Sequence, residues 1–502
     1  MTGELASAYA GSVHGADEGV RDGRPLPAYV DVFALLERLG PAGLRERSAR
    51  RDALQVARGM TFPLPSADGL AAGGLAADGL AADGLAAAGP GSAGGGQRLL
   101  PLDLVPRLVA AREWQLLARG LEQRARALTA LLRDLAGPRE CVRAGIVPAA
   151  LVPGAPVLAT GTTAPPATVA GMDLLHDGNG WRVLEDNLRV PSGLGYAVLV
   201  REIAAQALPE LAPGPAVADP ADALPLLGAA LRGAAPPRCA GEPAVAVLTA
   251  GPGDSAHAEH ALLAARLGIP LLTPADLLAR GDTVAGPDGR VDVLYRRLDE
   301  QELGRVTVGD GRPALEVLTS AVRAGTLGLA NALGTGVADD KAVCASVPGL
   351  VDFFLGEPPL LAGVRTWVLA DPPALAEALS RLHELVVKPV DGYGGHGVVF
   401  GAQLAREELA RLRATIERDP AGWVAQEPVA ASTHPTLAPD GALVPCAVDL
   451  RAFVVSGVDA SGRTDPDAAV AVPAALTRVA PQGSRVVNSS RGGGTKDTWL
   501  PA

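Results

Sequence analysis

Aromatic residues make up only 3% of the 502 residues, and Lys and Arg (44) are outnumbered by Asp and Glu (55), leaving a net charge of −11. Nucleic acids are held by basic faces and stacking platforms, so this balance, with no basic cluster in view, argues against a nucleic-acid partner. Four cysteines, Cys141, Cys239, Cys344 and Cys446, lie far apart and form no C-x-x-C. Neither a zinc knuckle nor a disulfide framework is indicated, and the four read as buried thiols in a reducing compartment. There is no run of about 18 uncharged apolar residues and no basic leader followed by an apolar core. A soluble cytoplasmic protein without a membrane partner is the expectation. Apolar residues at 48% and charged residues at 20% lie near globular averages. The length predicts two to four subdomains.

Residues 1–26 are polar and glycine-rich and are expected to be disordered. Residues 27–150 read as an N-terminal helical region, with two helices between Tyr29 and Gly59 and a long one from Asp103 to Ala136, Pro106 falling in its first turn. Between them, Ser66–Gly96 repeats DGLAA-like units, which bury too little surface to pack and read as a mobile surface loop. After a Pro/Ala-rich linker, residues 236–330 alternate strand and helix through EPAVAVLTAGPG, SAHAEHALLAARLG, IPLLT, PADLLAR (a short helix) and VDVLYRR. That order predicts a small parallel α/β domain. His257 and His260, with no third ligand nearby in sequence, read as helix surface rather than a zinc site.

Chemistry concentrates in two stretches. In LVVKPVDGYGGHGVVF (Leu385–Phe400), four glycines, Gly392, Gly394, Gly395 and Gly397, sit between two strand-like runs. No helix follows, so a dinucleotide fingerprint fails, and no Lys-Ser/Thr follows, so a P-loop fails. What remains is either a glycine hairpin whose amides close over phosphates with Lys388 aimed at them, or a hairpin of purely structural use. In MDLLHDGNGWRVLEDNL (Met172–Leu188), two strands flank an Asp-Gly-Asn-Gly turn. On the second, Val183, Glu185, Asn187 and Arg189 share a face by period two. A three-residue loop that pairs Asp177 with Trp181 sets Asp173 opposite Glu185. The resulting oxygen set, Asp173, Glu185 and Asn187, suits Mg²⁺, although an exposed polar strand explains the pattern as well.

Lys341, after NALGTGVADD, opens a helix and is either an exposed first residue or a phosphate ligand. Further strands are expected at Trp423–Val429 and Cys446–Val455. On the latter, Arg451 either clamps a phosphoryl group or pairs with Asp449. The tail SSRGGGTKD, with Arg491 and Lys496, has the composition of a mobile anion-binding loop.

Taken together, LEDNLRVPSG, VDVLYRRLDE, ANALGTGVADDKAV, VVKPVDGYGGHG, DLRAFVV and VVNSSRGGGTKDTW resemble the circularly permuted ATP-grasp family, whose distant relatives are glutathionylspermidine synthase-like ligases. In the permuted arrangement the metal-binding strand precedes the nucleotide lysines, as Glu185 and Asn187 precede Lys341 and Lys388. The resemblance implies an α/β (α+β) ATP-grasp fold with its metal-binding part in residues 151–235 and its nucleotide-binding part in 331–502. It implies ATP and Mg²⁺ as cofactors: Lys341, Lys388 and the glycines Gly392–Gly397 on phosphates, Gln426 and Glu427 near adenine, Asp173, Glu185 and Asn187 on metal, Arg451 facing the transferring phosphoryl group. The implied activity is ligation of a small-molecule or peptide carboxylate to an amine through an acylphosphate. A phosphotransferase and a non-catalytic ATP-binding protein are the alternatives. The acid, the amine and the oligomeric state, a homo-oligomer included, stay open.

Overall fold

The computed structural model describes residues 4–63, 92–93, 97–152, 164–390, 397–484, 487 and 493–502. Its central element is the hairpin of two 16-residue strands, Leu443–Val458 and Thr464–Val479. Around it a mixed sheet grows in the order Ala362–Gly363, Trp181–Asn187, Val169–His176, Leu443–Val458, Thr464–Val479, Gly494–Trp499, Leu102–Leu108, with Thr433–Leu437 paired to the side. Side chains alternate between its faces. Leu450, Ala452 and Val454 pack on one face against Leu117, Leu121, Leu128 and Leu132 of the helix Ala111–Ala136. Phe453 and Val455 point the other way and pack with Leu227 and Leu231 of the helix Ala223–Gly233. That second face is covered at the Phe453 end. At the Asp449–Arg451 end it opens onto a cleft.

Two smaller sheets flank it. Leu271–Leu272, Val245–Leu248, Val293–Arg296 and Gly328–Ala330 form a wholly parallel sheet in that order, as the strand–helix alternation predicts. The expected short helix at PADLLAR is instead a single 3₁₀ turn, Pro274–Asp276, followed by a strand, Leu278–Arg280, in a separate antiparallel meander. The third sheet is antiparallel, in the order Thr366–Val368, Trp423–Gln426, Val386–Pro389, Val399–Phe400. Leu382, Leu412 and Ile416 pack against it.

The N-terminal region departs from expectation twice. Residues 4–26 are not disordered: Glu4–Ser12 is a helix whose Tyr9 is 1% exposed and donates its hydroxyl to Asp17 at 2.6 Å, while Glu18 pairs with Arg107. Polar composition concealed a few well-placed apolar anchors. Residues 103–108 belong to an edge strand, Leu102–Leu108, parallel to Gly494–Trp499, rather than to the long helix, which starts at Ala111. Pro106 is tolerated there because an edge strand can spare an amide. The stretch Val30–Ala57 holds two helical runs meeting at Gly40–Pro41, where Gly40 takes φ 60°. Apart from Ser92–Ala93, the DGLAA-like insert lies outside the described residues. Among the described residues no helix is long and apolar enough to cross a membrane.

Candidate functional site

The acidic hairpin does set Asp173 opposite Glu185, by a different route from the one the turn suggested. The loop has four residues rather than three, since His176 pairs with Trp181 and the Asp177 amide donates to the Gly180 carbonyl at 3.1 Å. A bulge at Leu184 then adds one residue to the second strand, and pairing resumes as Leu174 with Val183 before the bulge and Asp173 with Glu185 after it. The bulge also corrects the expected face. Val183 is packed in the core, while Leu184, Glu185 and Asn187 line the cleft. Bulges re-aim side chains in this way beside functional sites.

Register carries the row onward: Glu185, Asp173, Arg451 and Leu476 are successive cross-strand neighbours. Arg451 donates Nε and Nη2 to the two oxygens of Asp173 at 2.6 and 2.7 Å, a bidentate pair. Arg478 reaches the same carboxylate at 2.8 Å and also grips Asp449. Arg451 is thus paired with Asp173, and the partner of Asp449 is Arg478. Burial alone would raise the Asp173 carboxyl, but the two guanidinium groups outweigh it and hold the group well below its usual range. Glu185 moves oppositely, pushed up by burial and by Asp173, with Lys341 opposing. On the sheet's other face Asp186, 1% exposed, is clamped by Arg124 at 2.6 and 2.7 Å.

Two lysines meet this row. Lys341 opens the helix Lys341–Leu355 behind its N-cap Asp340, and its Nζ lies 3.9 Å from Glu185. Lys388 comes from the strand Val386–Pro389 of the third sheet, and each lysine is 8% exposed. Burial draws the Lys388 ammonium down to about 8, with Glu185 opposing and Lys341 adding to the effect. The cleft between the sheets measures about 1240 Å³ and is lined by Glu185, Asn187, Lys341, Lys388, Gln426 and Arg451 among others. Positions from 173 to 451 that the sequence singled out therefore gather at one place.

Other expected residues divide. Gln426 is buried and donates Nε2 to Thr366 at 3.0 Å, whereas Glu427 pairs with Arg365 at the rim; both line the cleft. Gly392, Gly394 and Gly395 lie outside the described residues, as does Arg491. Gly397 has φ +72°, and a Cβ there would come within 2.8 Å of Pro389, so only glycine fits. Lys496 is not in a mobile loop: it is fully buried, ion-paired with Asp103 and donating to the Pro435 carbonyl at 2.9 Å. His260 is likewise 1% exposed and bonded to Thr249 rather than on the helix surface. Cys141 and Cys446 are buried, Cys239 and Cys344 half-buried.

Local sequence pattern assigns no role to Arg478, Asp339 or Arg297. Asp339 accepts from the amides of Leu188 and Arg189, and burial pushes its carboxyl up to about 7. Arg297 lies in VDVLYRRLDE and Asp339 in ANALGTGVADDKAV, but neither stretch records a role for them; only the fold brings the three to the cleft.

Could these residues accept a hard cation? Asp173 and Glu185 approach closely enough for each to shift the other, and Glu185 and Asn187 both line the cleft with oxygen-bearing side chains. Among the described residues no cluster of three His, Cys, Asp or Glu side chains could hold a metal by itself. Mg²⁺ bound together with phosphates needs fewer protein ligands, one or two carboxylates sufficing. The donor set fits that mode of binding.

The family described as circularly permuted ATP-grasp type 2 matches residues 106–480. The chain is 48% identical over 498 residues to a Frankia alni protein named "Putative glutamate--cysteine ligase 2-3", covering 97% of this chain and 54% of that protein. It is 42% identical over 490 residues to an uncharacterised Mycobacterium tuberculosis protein, covering 94% and 81% respectively. The chain spans about half the length of the Frankia relatives it matches. Among solved structures, a glutathione synthetase-like effector from Globodera pallida aligns with a TM-score of 0.59 and 12% identity over 92% of this chain and 98% of that one. At that identity the likeness is one of fold.

Proposed function

The chain belongs to the circularly permuted ATP-grasp type 2 family, and from that premise we propose that it is a cytoplasmic ATP-dependent carboxylate–amine ligase, related to glutathionylspermidine synthase-like enzymes and working through an acylphosphate. One observation carries the proposal: the strand bearing Glu185 and Asn187 faces, across one cleft, the helix start at Lys341 and, more than two hundred positions along the chain, the strand bearing Lys388, with Lys341 3.9 Å from Glu185.

ATP is the phosphoryl donor in this scheme. Lys388 and Lys341 take its phosphate oxygens, Gln426 and Glu427 lie at the adenine end, and the Gly392–Gly397 stretch covers the phosphates. Glu185 and Asn187 are the open donors for Mg²⁺, which when bound neutralises phosphate charge; Asp173 could join them only by loosening its hold on Arg451. The substrate carboxylate attacks the γ-phosphorus, the β–γ bridge bond breaks and ADP leaves. The amine then adds to the acylphosphate carbonyl and expels phosphate, forming the amide. Arg451, fixed by Asp173, offers its remaining N–H groups to the transferring phosphoryl group. The protein supplies alignment and fixed charge, and no side chain acts as a nucleophile.

Incubation with ATP, Mg²⁺, hydroxylamine and a panel of amino acids and short peptides tests this. A ligase yields ADP and a hydroxamate. A stable phosphate ester would make it a phosphotransferase, and no ADP with any acid would make it a non-catalytic ATP-binding protein.

A further inference from the structure

Two adjacent arginines end the strand Val293–Arg296, and they differ sharply. Arg296 is fully buried and fully engaged, donating to the carbonyls of Leu298, Asn331 and Ala332 and to the Glu300 carboxylate. Arg297 lines the cleft and is 5% exposed. Its guanidinium lies over the Tyr295 ring, 5.0 Å from the centroid, and donates to the Pro191 carbonyl at 2.7 Å and, at 3.3 Å, to the Val190 carbonyl and the Tyr295 hydroxyl. Its Nε has no partner, and among the described residues no carboxylate forms an ion pair with it. Glu259, whose charge it senses, is committed to the amides of Gly193 and Gly195 at 2.8–2.9 Å.

Carbonyls and a hydroxyl satisfy hydrogen-bonding directions without neutralising a charge. A guanidinium held out of water with a free donor, and with no carboxylate ion-paired to it among the described residues, is an incomplete arrangement that a planar anion completes. Its location narrows the choice of anion. Arg297 holds Val190 and Pro191, and Arg451 holds the next carbonyl, Ser192, at 3.3 Å, so the two cations grip one turn from neighbouring positions. Tyr196, Ser255, His260 and Glu302 line the same cleft.

We infer that Arg297 binds a substrate's spectator carboxylate, one that does not react, so that at least one of the two joined molecules is an amino acid or a dicarboxylate. Calling the ligand a substrate rests on the ligase proposal; the carboxylate site does not. The carboxylate belongs either to the acid or to the amine, and two probe pairs separate these sources: L-glutamate against 4-aminobutyrate, and L-cysteine against cysteamine.

Each probe is titrated calorimetrically into the full chain with Mg²⁺ and a non-hydrolysable ATP analogue. In one pair the carboxylate-bearing member should bind at least about 30-fold more tightly than its truncated twin, because a site built for a polar group rejects the analogue lacking it. Arg297→Met should collapse that ratio to about threefold or less while leaving analogue affinity unchanged; Arg297→Lys should restore part of it, retaining charge without the planar fork. Loss of a merely structural contact would weaken both twins equally and leave the ratio intact. Equal binding of both twins in both pairs, or a ratio that survives Arg297→Met, overturns the inference. Should Arg297→Met fail to fold, the ratio in Arg297→Lys and Arg297→Gln decides, and a ratio undiminished in both overturns it. The hydroxamate assay is read separately: no product with the ratio intact sinks the ligase proposal and leaves the site, and product with a ratio indifferent to residue 297 does the reverse.

Discussion

The two walls of the cleft treat charge differently. On the central sheet Asp173 is shared by Arg451 and Arg478, Asp449 is held by Arg478, and Asp186 behind them is clamped by Arg124. These groups are neutralised within their own wall and join four strands and a helix. On the third sheet Lys388 is as deeply buried, yet among the described residues it makes no ion pair, and burial draws its ammonium down to about 8. That network is closed without a ligand. The other wall carries a charge whose natural complement is a polyanion. The contrast predicts that substitutions within the closed ion network, at Asp186, Asp449 or Arg478, damage stability, and that substitution of Lys388 damages turnover.

The largest effect should follow Arg478→Met, which strips Asp449 of its clamp and Asp173 of one of two cations. Removing one partner of a buried ion network costs about 3–5 kcal/mol, so urea unfolding should show a loss of that size. A change under about 1 kcal/mol would mean that the wall is solvated and the contrast false. Next in size, Lys388→Met should reduce ATP turnover by about 10²–10³-fold, the scale of losing one preorganised charge-stabilising donor. Its stability at neutral pH should be unchanged or higher, because a buried, unpaired cation has been replaced by an apolar chain of similar length. Full turnover in Lys388→Met would remove that residue from the phosphate site.

The same residue gives a pH signature. A lysine held near 8 in the folded chain against an ordinary 10.5 binds its proton more tightly once unfolded. The contribution of Lys388 to stability therefore rises as pH climbs from about 8 to about 10.5 and is lost as pH falls back through 8. One unit is worth about 1.4 kcal/mol, so between pH 7.5 and pH 10.5 wild type should gain on Lys388→Met by something on the order of 3 kcal/mol. A gap independent of pH would show that Lys388 is solvated and its wall no different from the other.

Legibility in the sequence followed the range of the interaction. Glu185, Asn187 and Lys388 stand in local patterns that single them out, whereas the residues around Lys341 leave it open between an exposed helix start and a phosphate ligand. The pairing of Asp173 with Glu185 was expected from a three-residue loop, whereas the fold reaches it with a four-residue loop and a compensating bulge at Leu184. Turn composition records neither loop length nor bulge. Residues 103–108 have helical periodicity, but their partner strand begins at Gly494, and a pairing almost four hundred positions away overrides local preference. Lys496 looked like loop chemistry because Asp103, which neutralises it, is equally remote. The stretches around Arg478 and Arg297 record no role for either, since a guanidinium beside a strand acquires meaning only from what the sheet sets next to it.

The smallest effects belong to the far end of the cleft, where the contrast between walls can be sharpened within a single dipeptide. Gln426 is 3% exposed, with its amide bonded to Thr366 across the strand pair, while the Glu427 side chain is 41% exposed and meets Arg365 at 3.4 Å. A buried amide is costly to leave unmatched, so it is fixed in orientation and can present its other edge to a base. An exposed ion pair contributes about 0–1 kcal/mol and is screened by salt. Gln426→Met should therefore raise the KM for ATP by roughly tenfold, about 1.4 kcal/mol of binding, whereas Glu427→Ala should change it by less than about threefold. The reverse order would place the adenine against the rim rather than the buried strand end, and would move the nucleotide outward along the lysine wall.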